Sequence, residues 1–139
     1  MKLTRTNAIL PFLRPVDFGS AASNDLIGLP VRFDGGTLLP WEPDVIPPAG
    51  VIIHADDELV SVAMHSGGLA GTVKVKLLEA VSRGDELYVA QNNNVNGYAS
   101  AAGNSFTGAT WLCAQALEAG VEGEMVEAVL FRPEPVTIV

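Results

Sequence analysis

The stretch ELVSVAMHSGGLAGTVKVKL, residues 58–77, decides the fold class of this chain. β-Branched residues alternate with small or polar ones on both sides of a glycine-rich centre, at Val60 and Val62 before it and at Val73 and Val75 after it. A period of two with β-branched residues on one face is typical of a half-buried strand, and glycine gives the backbone the freedom that a turn needs. The stretch therefore predicts two strands joined by a glycine-rich connection.

A similar pattern recurs toward the C-terminus in WLCAQALEAGVEGEMVEAVL, residues 111–130. A shorter match relates VSRGDEL, residues 81–87, to GVEGEMV, residues 120–126, since both place a glycine and then an acid before a strand-like run. Glycine followed by Asp or Glu at a strand entrance is a turn signal, because glycine adopts the left-handed conformation at low cost. The chain is therefore predicted to repeat one turn-and-strand unit.

The strand-like runs and frequent glycine turns predict an all-β fold, a small β-barrel or sandwich with an extended proline-rich N-terminal region and a short C-terminal arm. The main predicted strands are residues 51–53, 59–64, 73–77, 86–90, 111–117 and 125–131. Two shorter strands, 29–33 and 37–39, flank a hairpin-type turn at Asp34-Gly35-Gly36. Residues 92–108 are rich in Asn and small side chains and are predicted to be a long surface loop. Residues 136–139 are predicted to be an extended arm.

The length of 139 residues predicts a single structural domain. Within it, seven of the nine prolines lie in the first fifty residues, so residues 1–50 are predicted to be an N-terminal arm and proline-rich loops packed on the core. Residues 51–139 are predicted to form the barrel-like part.

Composition excludes several classes of protein. No apolar run approaches the roughly 18 residues that span a bilayer, and prolines at positions 11 and 15 interrupt the N-terminal apolar patch, which argues against a signal peptide. The single cysteine, Cys113, excludes an internal disulfide and fits a reducing compartment. A formal charge of −8 argues against nucleic acid as a partner. We therefore expect neither a membrane nor a nucleic-acid partner.

The sequence contains no constellation that indicates catalysis. His54 precedes the acidic triplet at 56–58, but three adjacent side chains on a turn rarely converge on one metal ion. His65 precedes Ser66-Gly67-Gly68 without the lysine or the helix of a phosphate-binding loop. We therefore expect no catalytic residue, no cofactor and no metal site, and a buried apolar role for Cys113.

Several segments resemble the tailed-phage capsid cement family, the small head-decoration proteins. The similar segments are residues 60–64, 70–75, 79–87, 114–119 and 122–127. The resemblance implies a β-barrel-like domain, usually trimeric, that sits on the outside of an icosahedral head at local three-fold positions and has no enzyme activity. The family usually begins with a compact N-terminal strand pair, from which this proline-rich N-terminal third departs.

We therefore expect a structural virion protein, made in the host cytoplasm, that binds the outer surface of the capsid and stabilises it. Its implied partners are the major capsid protein and further copies of itself, as a homotrimer. Two alternatives stay open: another β-type virion component, such as a tail-tube or fibre-base subunit, and a soluble ligand-binding β-barrel.

The N-terminal segment alternates basic and apolar side chains and is broken by two prolines, which excludes a long helix. Either it reaches acidic and apolar surface on a neighbouring subunit, or it adds an edge strand to its own sheet. Aromatic residues expected in loops, Phe12, Phe18 and Trp41, favour self-association, because a monomer would leave them exposed. The candidate capsid or subunit contacts are Leu3, Arg5, Ile9, Leu10, Phe12, Leu13 and Trp41.

Overall fold

The computed structural model describes residues 9–19, 21–43, 46–65, 71–103 and 105–139. Within these ranges nearly all of the regular secondary structure is β-strand and there is almost no helix, which confirms the predicted all-β class. The strands are β1 (Ile9–Leu13), β2 (Pro30–Asp34), β3 (Thr37–Pro40), β4 (Gly50–Ala55), β5 (Leu59–Met64), β6 (Val73–Lys76), β7 (Glu86–Asn92), β8 (Val95–Ser100), β9 (Gly108–Ala116) and β10 (Met125–Ile138). A 3-10 turn, Val16–Phe18, and one helical turn, α1 (Ser23–Leu26), lie between β1 and β2.

The strands form two antiparallel five-stranded sheets, in the orders β1-β5-β4-β2-β3 and β6-β10-β9-β7-β8. The two strands predicted in residues 58–77 therefore lie in different sheets, since β5 belongs to the first sheet and β6 to the second. The connection at residues 66–70 lies outside the described residues. The described strands form no closed barrel, and β4 and β5 share a sheet with strands from the first fifty residues.

Alternation along the strands places apolar side chains on both faces of each sheet. One buried cluster lies between the sheets and joins Trp41, Val51 and Ala63 of the first sheet region to residues of all five strands of the second. A second cluster includes the centre of β4 and β5 and the side chain of Leu26 from α1. A third lies against β7 and β8 and includes Ile138 from the end of β10. Each sheet therefore packs against buried apolar side chains on both of its faces.

The repeated turn before β7 and β10 is confirmed. Gly84 and Gly123 have φ angles of 91° and 86°. Their N–H groups donate to the carbonyls of Ala116 and Leu77 respectively, so each glycine bonds to a residue of the other copy. The two acceptors are 39 positions apart in sequence, as the two glycines are. In both turns an acidic side chain accepts the N–H three residues earlier, at 2.9 Å in the first copy and 2.8 Å in the second.

The two copies also meet each other directly. Val81 and Gly120, which occupy equivalent positions in the repeat, form an antiparallel bridge and exchange N–H···O bonds of 2.9 and 3.2 Å. The second sheet is therefore built around a pair of equivalent turns that hold each other in place.

The prediction of a long loop over residues 92–108 is wrong. β7 extends to Asn92, Asn93 and Asn94 form a tight turn with φ angles of 52° and 65°, and β8 follows at once. Asparagine tolerates the left-handed conformation, so this Asn run makes a two-residue hairpin instead of a long excursion.

The prediction of a C-terminal arm is also wrong, because residues 134–138 pair with β9. The register shifts between Leu130 and Glu134, so Pro133 lies in an irregular segment that needs no ladder donor. In the described residues β6 pairs with β10 only over residues 125–128. The later part of β10 thus has an open edge. Pro135 can face this edge, where the absence of its N–H costs no ladder hydrogen bond.

For the N-terminal segment, the structure selects the second of the two alternatives as far as it is described. Residues Ile9–Leu13 form β1, an edge strand paired antiparallel with β5. The hairpin of β2 and β3 around Gly35 and Gly36 is confirmed as predicted.

Candidate interaction surface

An exposed apolar cluster lies where β1 ends and β5 begins. Leu13 pairs with Leu59 across the two strands, and their side-chain exposures are 78% and 43%. Val16, three residues after Leu13, is 88% exposed. Four exposed acids are close in sequence on the same two segments, since Asp17 follows Val16 and an acidic triplet, residues 56–58, precedes Leu59. We call this surface the apolar–acidic edge, and it comprises Leu13, Val16, Leu59, Asp17, Asp56, Asp57 and Glu58.

The backbone of β1 contributes little to binding at this edge. The Arg14 N–H donates to the Glu58 carbonyl at 2.8 Å, so even-numbered residues of β1 direct their backbone groups toward β5. The odd-numbered residues, among them Pro11, face the open side. Because proline has no N–H, the middle of the open edge lacks a donor, which disfavours the addition of another strand. Side chains are therefore what this edge offers to a partner.

Arg14 holds the apolar–acidic edge together. Its guanidinium donates to the carbonyl of Ala21, to Ser23 Oγ at 3.2 Å and to the carbonyl of Asp56 at 3.2 Å. These bonds join the segment after β1 to α1 and to the turn before β5. The edge is thus a fixed surface.

Asp56 has a structural role within the acidic turn. Its carboxylate accepts the N–H of Leu59 at 2.7 Å and the N–H of Glu58 at 2.8 Å. These hydrogen bonds to the charged form lower the pKa of Asp56. The turn therefore keeps a fixed shape, with the neighbouring carboxylates of Asp57 and Glu58 exposed.

The predicted contact residues have different positions. Leu3 and Arg5 lie outside the described residues. Ile9, Leu10 and Leu13 are exposed on β1. Phe12 lies on the opposite face of β1 from Leu13, is half-buried against the second cluster, and has its ring centroid 5.3 Å from that of Phe33.

The prediction that Trp41 is a surface contact is wrong. Its side chain is 2% exposed and belongs to the cluster between the sheets. The indole Nε1–H donates to the Ile46 carbonyl at 3.3 Å, and Asn96 Nδ2 donates to the Trp41 carbonyl at 2.6 Å. Since Phe18 also packs against buried residues, the exposed apolar surface comes from aliphatic side chains and not from loop aromatics.

A groove of about 400 Å³ is a second surface feature, which the sequence did not indicate. It lies where strands of the two sheets meet, and only the fold brings its residues together. Its lining residues are Phe33, Ile46, Pro47, Pro48, Ala49, Met64, Trp111, Arg132 and Pro133. Aromatic and aliphatic walls with one guanidinium suit an apolar or weakly polar ligand.

His65 is a buried histidine at the end of β5. It is 4% exposed, and its Nε2 lies 3.3 Å from the hydroxyl of Tyr98. Within the part of the chain that the structure describes, Nδ1 has no hydrogen-bond partner. Burial lowers the pKa of His65 to about 4, against the opposing effect of the Cys113 and Phe131 carbonyls. The imidazole is therefore a neutral core group at physiological pH.

Cys113 is likewise a core side chain. It is fully buried, and burial raises the pKa of its thiol well above the ordinary value. A thiol held in its protonated form is a poor nucleophile. The predicted apolar role of Cys113 fits this environment.

The low pKa of His65 predicts an acid-dependent loss of stability. The unfolded chain binds a proton at His65 below about pH 6.5, whereas the folded chain does so only near pH 4. Stability from this residue is complete above pH 6.5 and falls as the pH drops through this window, by about 3 kcal/mol in total. Urea denaturation at several pH values between 7 and 4 measures how the free energy of unfolding changes with pH.

His65→Gln is the matched variant for this prediction. It removes the titrating group, so its free energy of unfolding should vary less with pH between 6.5 and 4. The lowered pKa of Asp56 also reduces stability on acidification, but below its ordinary value of 3.8. Equal slopes for the variant and the parent protein between pH 6.5 and 4 would contradict the assignment.

No group of three or more His, Cys, Asp or Glu side chains that could hold a metal ion occurs among the described residues. None of the helical segments in the described ranges has the length and apolar character needed to cross a bilayer. Comparison with protein-family models, with curated proteins and with solved structures finds no match to this chain.

Proposed function

We propose that this protein is a capsid cement protein, a structural virion component that binds the outside of an icosahedral phage head and stabilises it. Its partners are the major capsid protein and other copies of itself in a homotrimer. The observation that carries the proposal is the apolar–acidic edge, where Leu13 and Val16 are more than three-quarters exposed on an otherwise well-packed body. Exposed apolar side chains grouped on a fixed surface are typical of a protein–protein interface.

The architecture is suited to such a role. Two sheets with buried clusters on both faces give a stiff body, and a formal charge of −8 keeps it soluble before it binds. The barrel-like form of the second sheet is part of the proposal, and the parallel bridge between Leu77 and Tyr98, which links its first strand region to β8, supports it.

Stabilisation of the shell follows from linkage. A protein that binds an expanded shell more tightly than an unexpanded one shifts the equilibrium toward the expanded form. Three linked copies bind together, so contacts that are weak individually give high avidity. No catalytic step is needed for this function.

The test uses shells assembled from the major capsid protein encoded in the same genome. The purified protein is mixed with expanded and with unexpanded shells, and the shells are sedimented. We expect saturable binding to expanded shells and at least tenfold weaker binding to unexpanded shells, which serve as the control. Absence of binding to both kinds of shell would refute the proposal.

A soluble ligand-binding protein is the second candidate, and the groove beside Trp111 favours it. This second hypothesis predicts that a small apolar ligand changes the fluorescence of Trp111 and raises the thermal stability of the protein. A Trp111→Phe variant identifies that signal, since Trp41 lies in the buried cluster between the sheets. A ligand effect in a protein that does not bind shells would favour this candidate.

A further inference from the structure

The charge of this chain is unevenly distributed. Residues 1–8 contain Lys2 and Arg5 and no acid, which leaves residues 9–139 with a formal charge of −10. Part of that negative charge is concentrated on the apolar–acidic edge, where Asp57 and Glu58 are exposed beside Leu59. A short basic segment and an acidic surface thus occur in the same chain.

The segment joins the body at the end of β1 that is remote from the apolar–acidic edge. It precedes Ile9, whereas the edge begins at Leu13. Eight residues in extended form reach about 26 Å. To reach the edge of its own copy, the segment would have to reverse at Ile9 and run back beside β1, where Pro11 offers no backbone donor. The edge of an adjacent copy needs no such reversal.

We infer that residues 1–8 of one copy bind the apolar–acidic edge of a neighbouring copy, so that successive copies contact each other head to tail. Lys2 and Arg5 pair with the exposed carboxylates, and Leu3 packs against Leu13 and Leu59. A heterologous contact of this kind closes into a ring when the rotation between copies permits it. The inference rests on the self-association included in the proposed function, but not on binding to a capsid.

Charge complementarity is the main physical argument. Opposite charges at an interface favour the correct partner and register, and like charges placed together oppose association. The apolar part adds contact area at the same place, because Leu13 and Leu59 face outward as a cross-strand pair. The edge therefore offers carboxylates to the basic side chains of the segment and apolar side chains to its leucine.

The test measures self-association of the full chain by sedimentation velocity over a range of protein concentrations. Lys2→Glu with Arg5→Glu should weaken association at least tenfold, and so should Asp57→Lys with Glu58→Lys. Combining all four substitutions in one chain should restore association, because the attraction is then re-formed with reversed signs. High salt should weaken the self-association of the parent protein and of the variant with all four substitutions to a similar degree.

The control is Lys74→Glu with Arg83→Glu, which changes the net charge by the same amount at two exposed basic residues of the second sheet region. It should associate like the parent protein. Circular dichroism confirms that each variant is folded. Association that is unaffected by reversal at Lys2 and Arg5, or a protein that is monomeric at every concentration, would overturn the inference.

Cross-linking separates binding within one copy from binding between copies. Leu3→Cys and Leu59→Cys are made in separate chains and mixed under mild oxidation, while the buried Cys113 stays protected. A mixed disulfide dimer is the expected product. If a chain carrying both cysteines forms only an internal disulfide and the mixture forms none, the segment binds its own copy and the inference is wrong. Association through the edge without any binding to shells would support this inference and refute the proposed function.

Discussion

Replacing Gly50 with alanine is expected to lower the free energy of unfolding by about 3 kcal/mol or more. Gly50 begins β4, opposite Met64 of β5. A Cβ at this position would overlap the carbonyl oxygen of Ala63 and lie 2.5 Å from Cγ1 of Val62. A backbone carbonyl in the centre of a sheet cannot move away, so the two strands would have to separate.

Gly103→Ala is the matched control. Gly103 does not have a positive φ either, but a Cβ there would meet the flexible carboxylate of Glu79 at 3.4 Å and the carbonyl oxygen of Ser100 at an ordinary contact distance of 3.6 Å. Its effect should stay within about 0.5 kcal/mol. Guanidinium denaturation of both variants measures the difference. A Gly50→Ala variant as stable as Gly103→Ala would show that β4 and β5 do not approach as described.

Tyr98→Ala is expected to cost about 3–5 kcal/mol. Tyr98 has no exposed surface and is among the largest fully buried side chains. It belongs to the cluster between the sheets, and its carbonyl accepts the N–H of Leu78 at 2.9 Å. Truncation would leave a cavity where the two sheets meet, and the rigid strands around it cannot collapse into the space.

Tyr98→Phe separates the packing of the ring from its hydroxyl group. It keeps the ring but removes the hydroxyl that lies 3.3 Å from Nε2 of His65. The expected cost is about 1–2 kcal/mol, the usual effect of leaving a buried polar atom without its partner. Thermal and urea denaturation of both variants measure these costs. A Tyr98→Ala variant that loses no more stability than Tyr98→Phe would contradict the position of the ring in the core.

The sequence predicted those parts of the fold that depend on local signals. Alternation of β-branched residues located β5 and β6, and Asp34-Gly35-Gly36 located the first hairpin. The repeated glycine–acid pair at Gly84 and Gly123 located two equivalent turns, because a left-handed glycine followed by a capping carboxylate is a local structure.

The errors concern strands that tertiary contacts stabilise. β8 contains Asn, Gly, Ala and Ser, which have low β-propensity. It forms because Tyr98 and Ala99 are buried, and because Gly97 lets the backbone approach Leu78 closely: a Cβ there would lie 2.8 Å from its Cγ. The end of β10 is a strand despite Pro133 and Pro135, since one falls in an irregular segment and the other beside an open edge. Neither condition is visible in a local window of sequence.

The candidate surface was predicted only in part. Exposed apolar residues on β1, such as Leu13, were expected from the alternation of the N-terminal segment. The acidic residues 56–58 were predicted to lie on a turn, but their position beside β1 could not be predicted, because it depends on pairing between residues more than forty positions apart. For Trp41, the flanking prolines indicated a loop held against the core or against a neighbouring subunit, and only the fold selects the core. The ring lies in the cluster between the sheets, and its Nε1–H donates to the Ile46 carbonyl.

The central claim is that this protein binds a capsid shell as a ring of copies, and electron cryo-microscopy of expanded shells incubated with the purified protein tests it most directly. We predict additional density on the outer surface at local three-fold positions, three copies at each, with the N-terminal segment of each copy reaching Leu13 and Leu59 of the next. Shells without additional density would contradict the proposed function. Isolated single copies on the shell would contradict the ring.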